Sequence, residues 1–98
     1  MGHTKPEMIT DLARELSAIR DLDRITEKSP GTFYYKSTGF LHFHDKAGRR
    51  WADVKTPTGY EQIDIGFSAD AAARRRFLKA VKNAHALLAS TKAKNLRR

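Results

Sequence analysis

The sequence predicts an α+β domain in which N- and C-terminal helices pack on one face of a small antiparallel sheet of three to four strands, ordered α-β-β-β-(β)-α. Three observations predict it. Apolar residues recur at helical spacing near both ends of the chain. The middle is rich in aromatic and β-branched residues with alternating character. Between these regions, Gly and Pro mark the turns.

Thr4-Lys5-Pro6-Glu7 is a helix start, with Thr4 as cap, Pro6 in the first turn and Glu7 completing a capping box. Met8, Ile9, Leu12, Leu16 and Ile19 then form one apolar face, with Asp11, Arg14 and Asp21 opposite. This helix is expected to end near Leu22, with Ile25 in the exit segment. Lys28-Ser29-Pro30-Gly31 breaks it, and Thr32-Phe33-Tyr34-Tyr35-Lys36 reads as a strand.

Phe40 to His44, the turn around Asp45-Lys46-Ala47-Gly48, and Arg50 to Lys55 read as a β-hairpin. The turn residues fit a three-residue loop with Gly48 in the left-handed position of a bulge. In that register Phe43 faces Trp51, Leu41 faces Asp53 and His42 faces Ala52. His42, His44 and Phe40 then share one sheet face and Asp53 lies on the other, where it pairs with Arg49 or Arg50 or hydrogen-bonds within the hairpin. A slip of one residue would exchange every assignment.

After the turn at Thr56-Pro57-Thr58-Gly59, Ile63 and Ile65 alternate with Gln62 and Asp64, as in a half-buried strand. Ser68 is the expected cap of a second helix running from about Ala69 to Ser90, with Asp70 in its first turn. Ala73, Phe77, Ala80, Val81, Ala84 and Leu88 make its apolar face. Residues 1–91 are read as one domain and residues 92–98 as a basic flexible tail.

In element order the chain resembles the frataxin-like arrangement of two helices on one antiparallel sheet. Phe40-Leu41-His42-Phe43-His44 and Ala52-Asp53-Val54 are also similar to a core found in small uncharacterised bacterial proteins, over roughly residues 29–85. The resemblance implies a bacterial cytoplasmic domain and brings no function with it.

Charge is distributed unevenly. Of the net charge of +8, residues 1–28 contribute −1, residues 29–67 contribute +1 and residues 68–98 contribute +8. A one-sided basic segment points to an acidic partner such as nucleic acid. Arg74, Arg75, Arg76, Lys79 and Lys82 are the expected phosphate contacts. No helix-turn-helix order, zinc finger or RNP-type aromatic motif accompanies them, so binding is expected to be electrostatic and blind to sequence. The competing interpretation is a solvated outer helix face.

A second class of function is protein interaction or self-association through an open sheet face around Trp51, His42 and His44. A third is a metal or acid–base site at His42, His44, Asp53 and His85, although the expected register puts Asp53, the nearest carboxylate, on the opposite face. His42 and His44 stand at i and i+2 on a strand and share a face, and His85 is a more distant candidate ligand. The chain has no cysteine, no Gly-x-Ser-x-Gly and no Gly-rich phosphate loop. An enzyme is therefore not the favoured reading, and no cofactor is expected. No apolar run spans a membrane and Met1-Gly2-His3-Thr4 lacks a signal core, so the expected location is the cytoplasm.

Overall fold

Inward and outward residues alternate along the strands, and this decides which side of the sheet the helices cover. The computed structural model describes the backbone of residues 5–96 and the side chains of residues 5–90. A 3-10 segment, Pro6–Leu12, leads into α1, Ala13–Arg20. Five strands follow: β1 (Ile25–Ser29), β2 (Thr32–Tyr35), β3 (Thr38–Lys46), β4 (Arg49–Thr56) and β5 (Gly59–Asp64). The helix α2, Ala71–Leu96, closes the chain. Among the described residues the strands form one antiparallel sheet in the order β1-β2-β3-β4-β5.

One core joins helices and sheet. Ile9, Leu12, Leu16 and Ile19 come from the N-terminal helical region, and Phe77, Val81 and Ala84 from α2. They meet Phe33, Tyr35, Leu41, Phe43, Ala52 and Val54 on the sheet. Phe40 and Leu41 are adjacent in sequence, yet both are fully buried. A register shift between β2 and β3, where Phe33 pairs with Leu41 but Tyr34 with Gly39, turns Phe40 inward. Phe40 therefore sits on the helix side, not on the histidine face expected for it.

The extra strand is β1. Ile25 to Ser29 was expected to be helix exit and turn, but it pairs with β2 around Pro30 and Gly31. Its residues carry only a weak alternation, with Ile25 and Glu27 half-buried between exposed neighbours. Gly31 is required at this turn: its φ is +78°, and a Cβ there would lie 2.6 Å from Ile9 Cδ1. Glu27 holds the turn by accepting from Gly31 N at 3.0 Å while pairing with Arg20 at 2.7 Å. Burial works against the Glu27 carboxylate, but these two donors outweigh it and its pKa is lowered.

The N-terminal helix is not uniform as expected. Ile9 has non-helical φ and ψ of −125° and 16°, and the first part is 3-10. A buried arginine accounts for it. Arg50 Nη1 takes the Met8 carbonyl at 2.7 Å, which draws that oxygen away from the helical ladder. The Thr4 cap lies outside the described residues. At the second helix Asp70, not Ser68, is the cap, because Asp70 Oδ1 accepts from Ala73 N at 2.8 Å. The helix backbone continues to Leu96, past the end expected at Ser90.

Arg50 is wholly enclosed. Its side chain is 0% exposed and it pairs with Asp11 through both terminal guanidinium nitrogens, Nη1 and Nη2, at 2.8 and 3.0 Å. Nε donates to Ile65 O at 2.7 Å and Nη2 to Gly66 O at 2.7 Å. It does not pair with Asp53, because residues 50, 52 and 54 all point into the core. Removing it strands a carboxylate and three carbonyls. Arg50→Met is expected to lower stability by about 3–5 kcal/mol, read as a fall in the urea midpoint. The hydrogen bond from Arg50 holds the Asp11 carboxyl below the usual range, against a smaller opposing effect of burial. A lowered folded pKa means that this stabilisation is complete above the ordinary carboxylate pKa. It is lost as pH falls through the folded value. Acid unfolding of Asp11→Asn should lack that part of the wild-type slope.

Candidate functional site

Two surfaces carry chemistry, and the two layers of the fold put them on opposite sides. The first is the outer face of α2. Arg75, Arg76, Lys79 and Lys82 are all exposed there, spaced so that they project away from Phe77, Val81 and Ala84. Among the described residues no ion pair engages these four cations. Together with Ala72 and Leu78 they line a shallow hollow of about 510 Å³. Arg74, expected to belong to this group, is directed elsewhere. Its Nη1 donates to Ala69 O at 2.7 Å and its Nε lies 3.8 Å from Glu15 Oε2. Arg74 thus ties the start of α2 to α1. Residues 92–98, the expected basic tail, have no described side chains.

The second surface is the sheet face away from the helices, and its content depends on the hairpin register. The structure pairs Leu41 with Val54, His42 with Asp53, Phe43 with Ala52 and His44 with Trp51. This is one residue away from the expected register. The loop has two residues, Ala47 and Gly48, both left-handed at φ 53° and 81°. Such a turn normally favours Asn-Gly, and left-handed Ala costs roughly 1–2 kcal/mol. The expected three-residue loop avoids that cost but aligns Asp53 with Leu41, so that one of the two faces mixes a carboxylate with the core. Burying an unpaired carboxylate costs several kcal/mol, so the pattern of side chains overrides the turn preference.

As a result Asp53 joins the two histidines. Asp53 Oδ2 lies 3.0 Å from His44 Nε2 and 3.9 Å from His42 Nε2. All three side chains are half-buried. The histidine rings meet edge to face at 4.8 Å, His44 stacks on Trp51 at 5.7 Å, and His42 lies 6.3 Å from Tyr60. Cations cover the aromatic rings of this face: Lys28 over Tyr34 at 5.0 Å, Arg49 over Trp51 at 5.3 Å and Lys55 over Tyr60 at 5.1 Å. Arg49 also pairs with Asp64 at 3.4 Å.

His85 is not part of this group. It lies on α2, edge-on to Tyr35 at 5.6 Å and Phe40 at 6.1 Å, with Nε2 2.8 Å from Asp23 O. The sheet separates it from His42 and His44, so the three cannot share one ion.

No protein-family model, curated protein or solved structure matches the chain. Among the described residues no helix is long and apolar enough to cross a membrane.

The register is open to a direct check. Ala47→Asn supplies the residue that a left-handed two-residue turn prefers. It is expected to raise stability by about 0.5–1 kcal/mol, and thus the melting temperature by roughly 3–6 °C. A three-residue loop would place residue 47 in an ordinary conformation and give no such rise.

Proposed function

We propose that the chain is a small nucleic-acid-binding domain that grips the phosphate backbone through Arg75, Arg76, Lys79 and Lys82, largely without regard to sequence. One observation carries this reading. Four exposed cations share one helix face, and no carboxylate among the described residues neutralises them. The net charge of residues 68–98 has the same sign and accounts for the chain's excess of +8. Cations so placed release condensed counterions when they meet phosphates, which supplies affinity without base readout. Arg74 is not assigned a phosphate contact, because its guanidinium is engaged by Ala69 O and Glu15.

Self-association through the open sheet face receives less support. Its rings are covered by Lys28, Arg49 and Lys55, so it presents mixed cationic and aromatic surface in place of a bare apolar patch.

The test is fluorescence anisotropy with a short random-sequence DNA duplex at several salt concentrations. Four phosphate contacts predict a slope of log K against log salt of about −3.6, and a loss of affinity of roughly 100-fold between 50 and 200 mM. Replacing Arg75, Arg76, Lys79 and Lys82 by Glu should abolish binding while the circular dichroism spectrum stays unchanged. Undiminished binding by that folded variant would overturn the proposal.

A further inference from the structure

We propose that His42, His44 and Asp53 form a binding site for a divalent transition-metal ion of the zinc type. The site lies on the sheet face, away from α2, and does not depend on the nucleic-acid reading.

Three features support it. The first is convergence. One ligand atom from each of the three residues falls within 4.8 Å of the other two. Zinc binds imidazole nitrogen and carboxylate oxygen at about 2.0–2.2 Å, so two ligands of one ion lie roughly 3–4 Å apart. The Asp53 contacts, at 3.0 and 3.9 Å, are already in that range.

The second feature is the backbone that carries the ligands. His42 and His44 are two residues apart on β3, and Asp53 is the direct cross-strand partner of His42 on β4. Both strands are internal to the sheet, so both are paired on each side. Ligands held in this way need little ordering when the ion arrives. The stacking of His44 on Trp51 limits that ring further.

The third is donor chemistry. Two imidazoles and one carboxylate suit zinc and its neighbours in the first transition series. They do not suit magnesium or calcium, which take oxygen ligands. Three protein ligands on a half-open face leave at least one coordination position for water or an anion, the pattern of an open zinc site as opposed to a closed structural one.

The experiment uses the full chain, stripped of metal and carrying His3→Ala so that only His42, His44 and His85 report. Titration with zinc chloride by calorimetry should show saturable binding at one ion per chain. Cobalt(II) should give a visible absorption band from bound ion and quench the single tryptophan, Trp51, whose ring stacks on His44. His42→Gln and Asp53→Asn preserve shape, and each should weaken zinc binding by about ten-fold or more. His85→Gln should leave it unchanged. Absence of saturable binding by the His3→Ala protein would overturn the proposal. So would affinity that persists in both His42→Gln and Asp53→Asn.

Discussion

The guanidinium of Arg50 holds together parts of the chain that the sheet alone would not. Its five N–H groups all have acceptors: two oxygens of Asp11, and the carbonyls of Met8, Ile65 and Gly66. A buried charge is costly to desolvate, and it is tolerated where every donor is satisfied and a counter-ion lies alongside. Here the arrangement fixes the 3-10 segment over one end of the sheet. It also fixes the exit from β5, where Phe67 lies 4.8 Å over the guanidinium. The direction in which the chain enters α2 follows from this, and with it the side of the helix that meets the core.

The two layers then divide the chemistry. Packing Phe77, Val81 and Ala84 against the sheet turns Arg75, Arg76, Lys79 and Lys82 to the outside. Packing Phe43, Ala52 and Val54 against the helices turns His44, Trp51 and Asp53 to the other outside. Neither surface needs a device of its own, because each is the polar complement of an apolar face. The helix face is nearly pure positive charge, whereas the sheet face mixes rings, cations and carboxylates. They are suited to different kinds of ligand.

Much of this was legible in the residues. The helical faces of Leu12, Leu16 and Ile19, and of Phe77, Val81 and Ala84, follow from spacing alone. So do the hairpin and the cationic stripe. What escaped was decided by competition between distant groups. Asp11 reads as a solvent-side residue of a regular helix until Arg50 is placed beneath it. Asp53 joins His42 and His44 only in one of two registers, and local turn chemistry favoured the other. The signal that selects between them lies across the strands: only the shorter loop puts Leu41, Phe43, Ala52 and Val54 together on one side. The strand β1 was missed because Ile25-Thr26-Glu27-Lys28-Ser29 is short and polar, and its pairing with Tyr35, Tyr34 and Phe33 is a tertiary fact. The bulge that buries Phe40 is likewise invisible to strict alternation.

The strand order has a kinetic consequence. Each strand pairs with its neighbour in sequence, and four connections of two residues each (30–31, 36–37, 47–48 and 57–58) link them. Closing so short a loop takes little chain entropy, and hairpins form on the microsecond scale. Bringing the N-terminal segment to the exit from β5, with Asp11 and Ile65 meeting at Arg50, requires a much longer closure. The meander can therefore assemble progressively from local pairings, whereas docking the terminal helices carries the larger loop-closure cost. In a nascent chain, β1 to β5 emerge before α2 does, and the part of the sheet's apolar side that Phe77, Val81 and Ala84 cover stays open until α2 has been made.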